Sequence, residues 1–204
     1  MNKVLNKSLK WSTGIAVITL VLAAIFSIVS TLMIEGVAWA VGVLIVFLIV
    51  LIGIVFDIIG VAATAVDEVP FHAMASERVN GSRQAIKICR NADRVASFCN
   101  DVIGDISGII SGTASAAVIV QLARTFGGDD ASAFQYTVSI VFTSVIAALT
   151  VGGKALGKSF AIHFSTSIIF QVGRVIYFFE EKLKLKKLMP QPASSKYKRN
   201  TKGK

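Results

Sequence analysis

VAWAVGVLIVFLIVLIGIVFDIIGVAATAV, residues 37–66, holds one ionisable side chain, Asp57, in an otherwise apolar run. A helix needs about 20 apolar residues to cross a hydrocarbon core ~30 Å thick. This run is long enough to cross with tilt or to pass the interface. Similar stretches lie on both sides of it, at 11–34, 102–122 and 134–153. A weaker stretch at 160–179 carries His163, Gln171 and Arg174, and reads as a continuation or an interfacial helix. The expected fold is an all-α integral membrane protein with about four transmembrane helices plus cytoplasmic amphipathic (juxtamembrane) helices. Ala38-Trp39-Ala40 matches a small-x-small cleavage site. The apolar run before it exceeds the ~7–15 residues of a signal core, so the first span is read as uncleaved. Trp11 and Trp39 suit interface anchors.

Composition agrees. Of 204 residues, 54% are hydrophobic and only 16% charged, against roughly 25% charged in soluble domains. The net charge of +9 is not spread evenly. Lys3, Lys7 and Lys10 precede the first span, while Arg78, Arg83, Lys87, Arg90 and Arg94 follow the second. Lys182, Lys184, Lys186, Lys187, Lys196, Lys198, Arg199, Lys202 and Lys204 close the chain. The other two connections carry Glu35, then Arg124, Asp129 and Asp130. Four spans put every basic cluster on one side, which the positive-inside rule makes cytoplasmic. The expected organisation is a cytoplasmic N-terminus (1–10), an N-terminal helix (11–34), a transmembrane domain (37–181) and a disordered basic tail (182–204) in a cell-membrane protein with both termini cytoplasmic. The tail suits anionic lipid, at ~1 kcal/mol per cation near the surface, rather than nucleic acid.

The segment 67–98 alternates apolar and polar residues as two amphipathic helices would. Pro70 suits a helix start, and Asn80-Gly81-Ser82 marks the break. Ala85, Ile86, Ile88, Cys89, Ala92 and Val95 form a stripe opposite Arg83, Lys87, Arg90 and Arg94. The stripe is expected on the membrane surface, with a cytoplasmic helical hairpin as the alternative. Cys89 and Cys99 read as free thiols in a reducing compartment rather than a metal pair or disulfide. His72 and His163 stand alone, and no Gly-x-Ser-x-Gly, Walker or His-Glu-x-x-His motif occurs. No enzymatic activity is expected.

Ionisable groups within spans mark partners or pathways. Asp57 shares a helical face with Gly53, Gly60 and Thr64. Asp101 and Asp105 pair at i, i+4 where the third span opens, as do Lys154 and Lys158 where the fourth closes. Lys154 either snorkels to water or pairs with Asp57, Asp101 or Asp105. Gly104, Gly108, Gly112 and Ala116 recur every four residues beside Ser107, Ser111 and Ser115. Such rows let helices approach closely, within the bundle or in a homodimer.

Gly60-Val61-Ala62-Ala63-Thr64-Ala65-Val66 ends the second span, Asn91-Ala92-Asp93-Arg94 and then Ile103-Gly104-Asp105 lead into the third, and Gly153-Lys154-Ala155-Leu156-Gly157-Lys158-Ser159 closes the fourth. In that order, these motifs resemble a Ser-x-Ser-Glu-Thr-Ala-Leu sequence, a Pro-Asp-Arg or Asp-Pro-x-Arg helix entry, an Ile-Gly-Asn and a Gly-Glu-x-x-Pro-Lys-Ser. From about 50 to 179 the chain thereby resembles the transmembrane domain of the CNNM/CorC family of magnesium transport proteins. The resemblance implies a Mg²⁺ site of Ser, Asn and Glu oxygens, chemistry that suits a hard ion.

This chain departs from that pattern. Gly60, Ala62 and Ala63 replace the oxygen donors, Asp105 replaces the Asn as the metal-ligand candidate, Lys154 replaces the key Glu, and Gly157 stands at the kinking Pro. No segment matching the family's cytosolic nucleotide-sensing domains follows Met189. Two readings stay open. One is divalent-cation transport, with Mg²⁺ as cargo at Asp57, Asp101 and Asp105 helped by Thr64 and Ser107. The other is a non-transporting scaffold or regulatory partner whose site is filled by the Lys154 ammonium.

Overall fold

In hydrocarbon every backbone N–H and C=O must find a partner within the chain, which favours unbroken helices. The computed structural model describes residues 2–34, 38–127 and 131–182. The basic tail from 183 onward, Glu35 and Asp129-Asp130 lie outside them. Among the described residues no strand occurs. The elements are α1 (Asn2–Ile34), α2 (Trp39–Ala65), α3 (Val69–Ser76), α4 (Ser82–Arg90), α5 (Ala92–Ser97), a π-helical turn (Phe98–Gly104), α6 (Asp105–Phe126), α7 (Ala131–His163) and α8 (Ser165–Lys182).

Four of the described helices are long and apolar enough to cross a membrane: Ser12–Leu32 in α1, Trp39–Ala65, Ala92–Phe126 through α5 and α6, and Ser132–His163 in α7. The 160–179 stretch forms no fifth helix long and apolar enough to cross a membrane among the described residues. Its first residues finish α7, the chain turns at Phe164, and the rest is α8, half apolar and half polar.

The second span is the hub, touching α1, α6, α7, α8 and the π-helical turn. Small residues set its distance from the third. A methyl added at Gly42 would meet Val118 Cγ2 at 2.8 Å, and one at Gly53 would meet Ser107 Cβ at 2.9 Å. At Gly60 it would overlap the Asn100 side chain. Steps of 11 and 7 residues along α2 are matched by equal steps backwards from Val118 to Ser107 to Asn100, an antiparallel register. Towards α7, Gly153 lies against Ile54 and Gly157 against Ile58, so these two helices run parallel.

The serine row of α6 faces inward. Ser107, Ser111 and Ser115 are buried, and Ser111 and Ser115 donate to carbonyls of their own helix, Gly108 O and Ser111 O, at 2.9 and 2.6 Å. Internal bonds of this kind let hydroxyls lie in an apolar interface. The glycine row divides. Gly104 is packed, but added methyls at Gly108 and Gly112 would meet nothing within 4 Å. Their face, with Ile109 and Ala116, is exposed. Ile15, Leu22 and Ala23 of α1 pack on the adjoining side, against Val102, Ile106 and Ile110.

At the basic end, α3, α4 and α8 build a cap over the ends of α2 and α7. Phe71, Ala85, Ile88, Ala161 and Ile169 are wholly buried there with Ala62 and Ala63. Full burial of residues like Phe71, Ile88 and Ile169 contributes about 1.5–3 kcal/mol each where the alternative is water. The stripe of α4 therefore meets protein, in the helical-hairpin arrangement, and Ala85 and Ile88 are not available to lipid. Pro70 sits in the first turn of α3. That helix ends with Arg78 at φ 58°, where Val79 N–H reaches Met74 O at 3.0 Å and Arg78 N–H reaches Ala75 O at 3.2 Å. Glycine normally supplies this left-handed cap.

Polar clasps fix the cap. Arg90 Nε donates to Glu68 Oε1 at 2.7 Å, and His72 Nε2 lies 2.8 Å from the same oxygen. Desolvation pushes the Glu68 carboxyl up, but hydrogen bonds from Arg90 and His72, with their charges, outweigh it and hold the group below the usual carboxylate range. Gln84 Nε2 donates to Glu180 Oε2 at 2.8 Å, tying α4 to α8, and Lys87 Nζ lies 3.8 Å from Glu180 Oε1. Cys89 and Cys99 are free thiols. Burial, then nearby Glu68, pushes Cys89 up to about 11, which keeps it neutral.

The closest crossing in the cap is backbone on backbone. A methyl at Gly173 would come 2.6 Å from Gly81 O and 3.0 Å from Ala85 N. Gly81 itself has φ 94°, a conformation that side chains disfavour. Gly173→Val is expected to cost about 1–3 kcal/mol through forced separation of α4 and α8, read as a fall in thermal midpoint in detergent. Gly152→Ala, where an added methyl meets nothing within 4 Å, serves as the control and should leave the midpoint unchanged.

Candidate functional site

Asp57 lies 18 residues into α2, near its basic end, and only 6% of it is exposed. Most residues around it are apolar, so its charge must be met by a few specific groups. Lys154 supplies one. Its Nζ stands 3.6 Å from Asp57 Oδ1, with 25% of the lysine side chain exposed. The parallel packing of α2 and α7 produces this meeting, since Ile54, Asp57 and Ile58 face Gly153, Lys154 and Gly157 in order.

The third wall is the π-helical turn. A methyl at Gly104 would lie 3.5 Å from Lys154 Nζ and 3.7 Å from Asp57 Oδ1. The ion pair thus rests on bare backbone where α2, α7 and the start of α6 converge. One turn along α2, Gly60 accepts the side chain of Asn100, which the π-helical turn projects. Such turns are uncommon and recur at functional sites.

Two oxygens here lack a hydrogen-bond donor. Asp57 Oδ2 and Asn100 Oδ1 are both buried and unbonded. At 3.6 Å the ammonium attracts Asp57 without a well-formed hydrogen bond. A buried carboxylate oxygen and a buried amide oxygen, one turn apart on facing helices, make a region of negative potential beside a single fixed cation. Chemically, this arrangement can hold or exclude small cations; it has no nucleophile poised beside a base.

The remaining sequence candidates fall elsewhere. Asp101 and Asp105 are exposed, so neither joins the pair, and Asp105 faces away from the junction it was expected to furnish. Thr64 is also exposed and donates to Val61 O at 2.9 Å, because the α2 face rotates away over the last turn. Lys158 is exposed. Gly157 does not interrupt α7, which runs unbroken to His163. It packs on Ile58 instead, as a close-approach residue. Gly53, Gly60 and Gly104 do line the junction. Among the described residues, no three His, Cys, Asp or Glu side chains cluster as a metal would require.

Asn100 was not singled out by sequence. Its one signal is Gly60, a bare position on a buried face that implies a bulky neighbour. No protein-family model, curated protein or solved structure matches the chain.

Removing one partner of a buried pair costs roughly 3–5 kcal/mol when both are fully desolvated. Lys154 is a quarter exposed, so Lys154→Met is expected to cost less than that, through the stranded Asp57 carboxylate. Adding Asp57→Asn should return much of the loss, and thermal unfolding of the single and double variants measures the coupling. A cost-free Lys154→Met would mean that the ammonium is satisfied by water.

Proposed function

We propose that the chain is a non-transporting membrane protein, a scaffold or regulatory partner of an ion transporter, in which Lys154 holds the place a mobile cation would take. The observation carrying this reading is the ammonium 3.6 Å from the buried Asp57 carboxylate, at the convergence of three helices. A divalent ion entering there would meet like charge at close range in a poorly screened medium. The exposure of Asp101 and Asp105 further reduces the ligands within reach. The second reading is magnesium transport. It draws on the donorless Asp57 Oδ2 and Asn100 Oδ1, oxygens of the type a hard cation takes, and it requires Lys154 to swing aside. Neither reading involves catalysis. The distribution of basic residues supports a cell-membrane location with both termini cytoplasmic, and the tail beyond 182 would meet anionic lipid.

Proteoliposomes loaded with a magnesium indicator separate the two. The wild type should pass no Mg²⁺ and show no Mg²⁺-dependent rise in melting temperature. Lys154→Glu places a second carboxylate beside Asp57 and should gain such a rise, by the mass-action relation for a ligand that binds only the native state. Flux through the wild type would overturn the first reading in favour of the second. A Lys154→Glu variant indifferent to Mg²⁺ would remove the junction as an ion site under either.

The open face of α6, with Gly108, Gly112 and Ala116 exposed, supports a homodimer through close helix contact. In a background with Cys89 and Cys99 replaced by Ser, Gly112→Cys should form a disulfide-linked dimer in membranes. Val151→Cys, exposed on α7, should not. The reverse pattern would place the contact elsewhere.

A further inference from the structure

Hydroxyls inside the spans settle in two ways. Ser111 and Ser115 donate to carbonyls of their own helix, as do Thr113 and Thr150. Ser30 of α1 and Ser107 of α6 do not. Only 7% and 8% of them is exposed, and among the described residues neither hydroxyl makes a hydrogen bond. Both line the same cavity of about 250 Å³ between α1, α2 and α6. Every other residue on its walls is apolar, Phe26, Ile49 and Ile110 among them.

The cavity is long and narrow. Its wall on α2 runs from Ile45 to Phe56, about 16 Å at 1.5 Å per residue. Spread over that length, the volume has the width of one extended alkyl chain. Water does not suit it. The volume would take roughly eight molecules at ~30 Å³ each, and two hydroxyls can hold only one or two. Charge does not suit it either, since no ionisable group lines the walls to offset the desolvation of a carboxylate or phosphate. A bare hydrocarbon fits the walls but leaves both buried hydroxyls unpaired, which is costly. A chain that carries a neutral oxygen answers both features.

We propose that this cavity binds a neutral single-chain amphiphile of about ten carbons, whose hydroxyl or ester oxygen pairs with these serines. Such a ligand enters through lipid and ties the first span to the third, which otherwise meet through Ile15, Leu22 and Ala23. Ser107 also packs against Gly53, so the occupant abuts the close approach of α2 and α6. Neither Asp57 nor Lys154 lines the cavity, and the proposal is independent of whether the chain passes ions.

The test uses the full chain in phosphatidylcholine vesicles with a diazirine-bearing 1-decanol, its labelled residues mapped by peptide mass spectrometry. Label is expected on 26–30 of α1 and 103–110 of α6. At equal concentration in the bilayer, 1-decanol or methyl decanoate should compete about fivefold better than decane, the factor for one hydrogen bond of ~1 kcal/mol. The better of the two tells a hydroxyl from an ester oxygen. Replacing Ser30→Ala and Ser107→Ala together should bring decane level with them. The thermal midpoint should hold, because the hydroxyls removed were unpaired. Ile49→Trp should fill the cavity and abolish the label. Equal competition by decane in the wild type would make the cavity a resting place for any hydrocarbon and overturn the proposal. So would absence of label from both segments, a preference for the oxygen compounds that survives loss of both serines, or undiminished label in a folded Ile49→Trp.

Discussion

Close approach along α2 governs this molecule. Inside a bilayer no hydrophobic effect pushes helices together, and association depends on packing at short range. Gly42, Gly53 and Gly60 bring one helix onto that surface, while Gly153 and Gly157 bring another onto its flank. Together they hold Asp57 against Gly104 and Lys154. A bulkier side chain at Gly53 or Gly60 would wedge the third span outward and take the wall of the junction with it. The charged pair is thus a consequence of steric economy more than its cause.

The cap relies on a different force. Phe71, Ile88 and Ile169 are fully buried outside the candidate spans, and removal of such side chains from water is a driving term that lipid does not supply. Glu68 and Glu180 then fix the directions of α3 and α8 through Arg90 and Gln84. The two modes of packing meet at the last turns of α2 and α7. An apolar cleft bounded by Phe98 and Val172 lies beside these turns.

The helical fold was legible because hydropathy and length decide it. The runs at 11–34, 37–66, 102–122 and 134–153 contain the apolar segments of the four long helices, although the third and fourth extend further at both ends. Those extensions are amphipathic, so an apolar window underestimates them. Pro70 and Gly81 marked their boundaries correctly, because each acts through local backbone geometry. The junction was legible only in part. Asp57 and Lys154 announced themselves as charges in apolar runs, and the structure pairs them. Asp101 and Asp105 had the same credentials yet are exposed, as is Thr64. Rotation of a helix about its axis is set by all its neighbours, and the π-helical turn shifts the phase just where α6 begins. Asn100 stayed hidden for the same reason. The glycine row named a face, but four-residue spacing does not say whether the same chain or a second copy covers it.

The order of the paired charges along the chain has a bearing on biogenesis. Asp57 belongs to the second span and Lys154 to the fourth. At synthesis rates of about 5–20 residues per second, the carboxylate leaves the ribosome several seconds before its counter-ion exists. The nascent second span must therefore partition on its own, with an aspartate penalty of roughly 2.5–3.5 kcal/mol at mid-membrane set against about 0.3–0.6 kcal/mol gained for each Leu, Ile, Val or Phe. Its long, almost uninterrupted aliphatic content makes that possible, and the lateral arrival of the last helix completes what the translocon released unfinished.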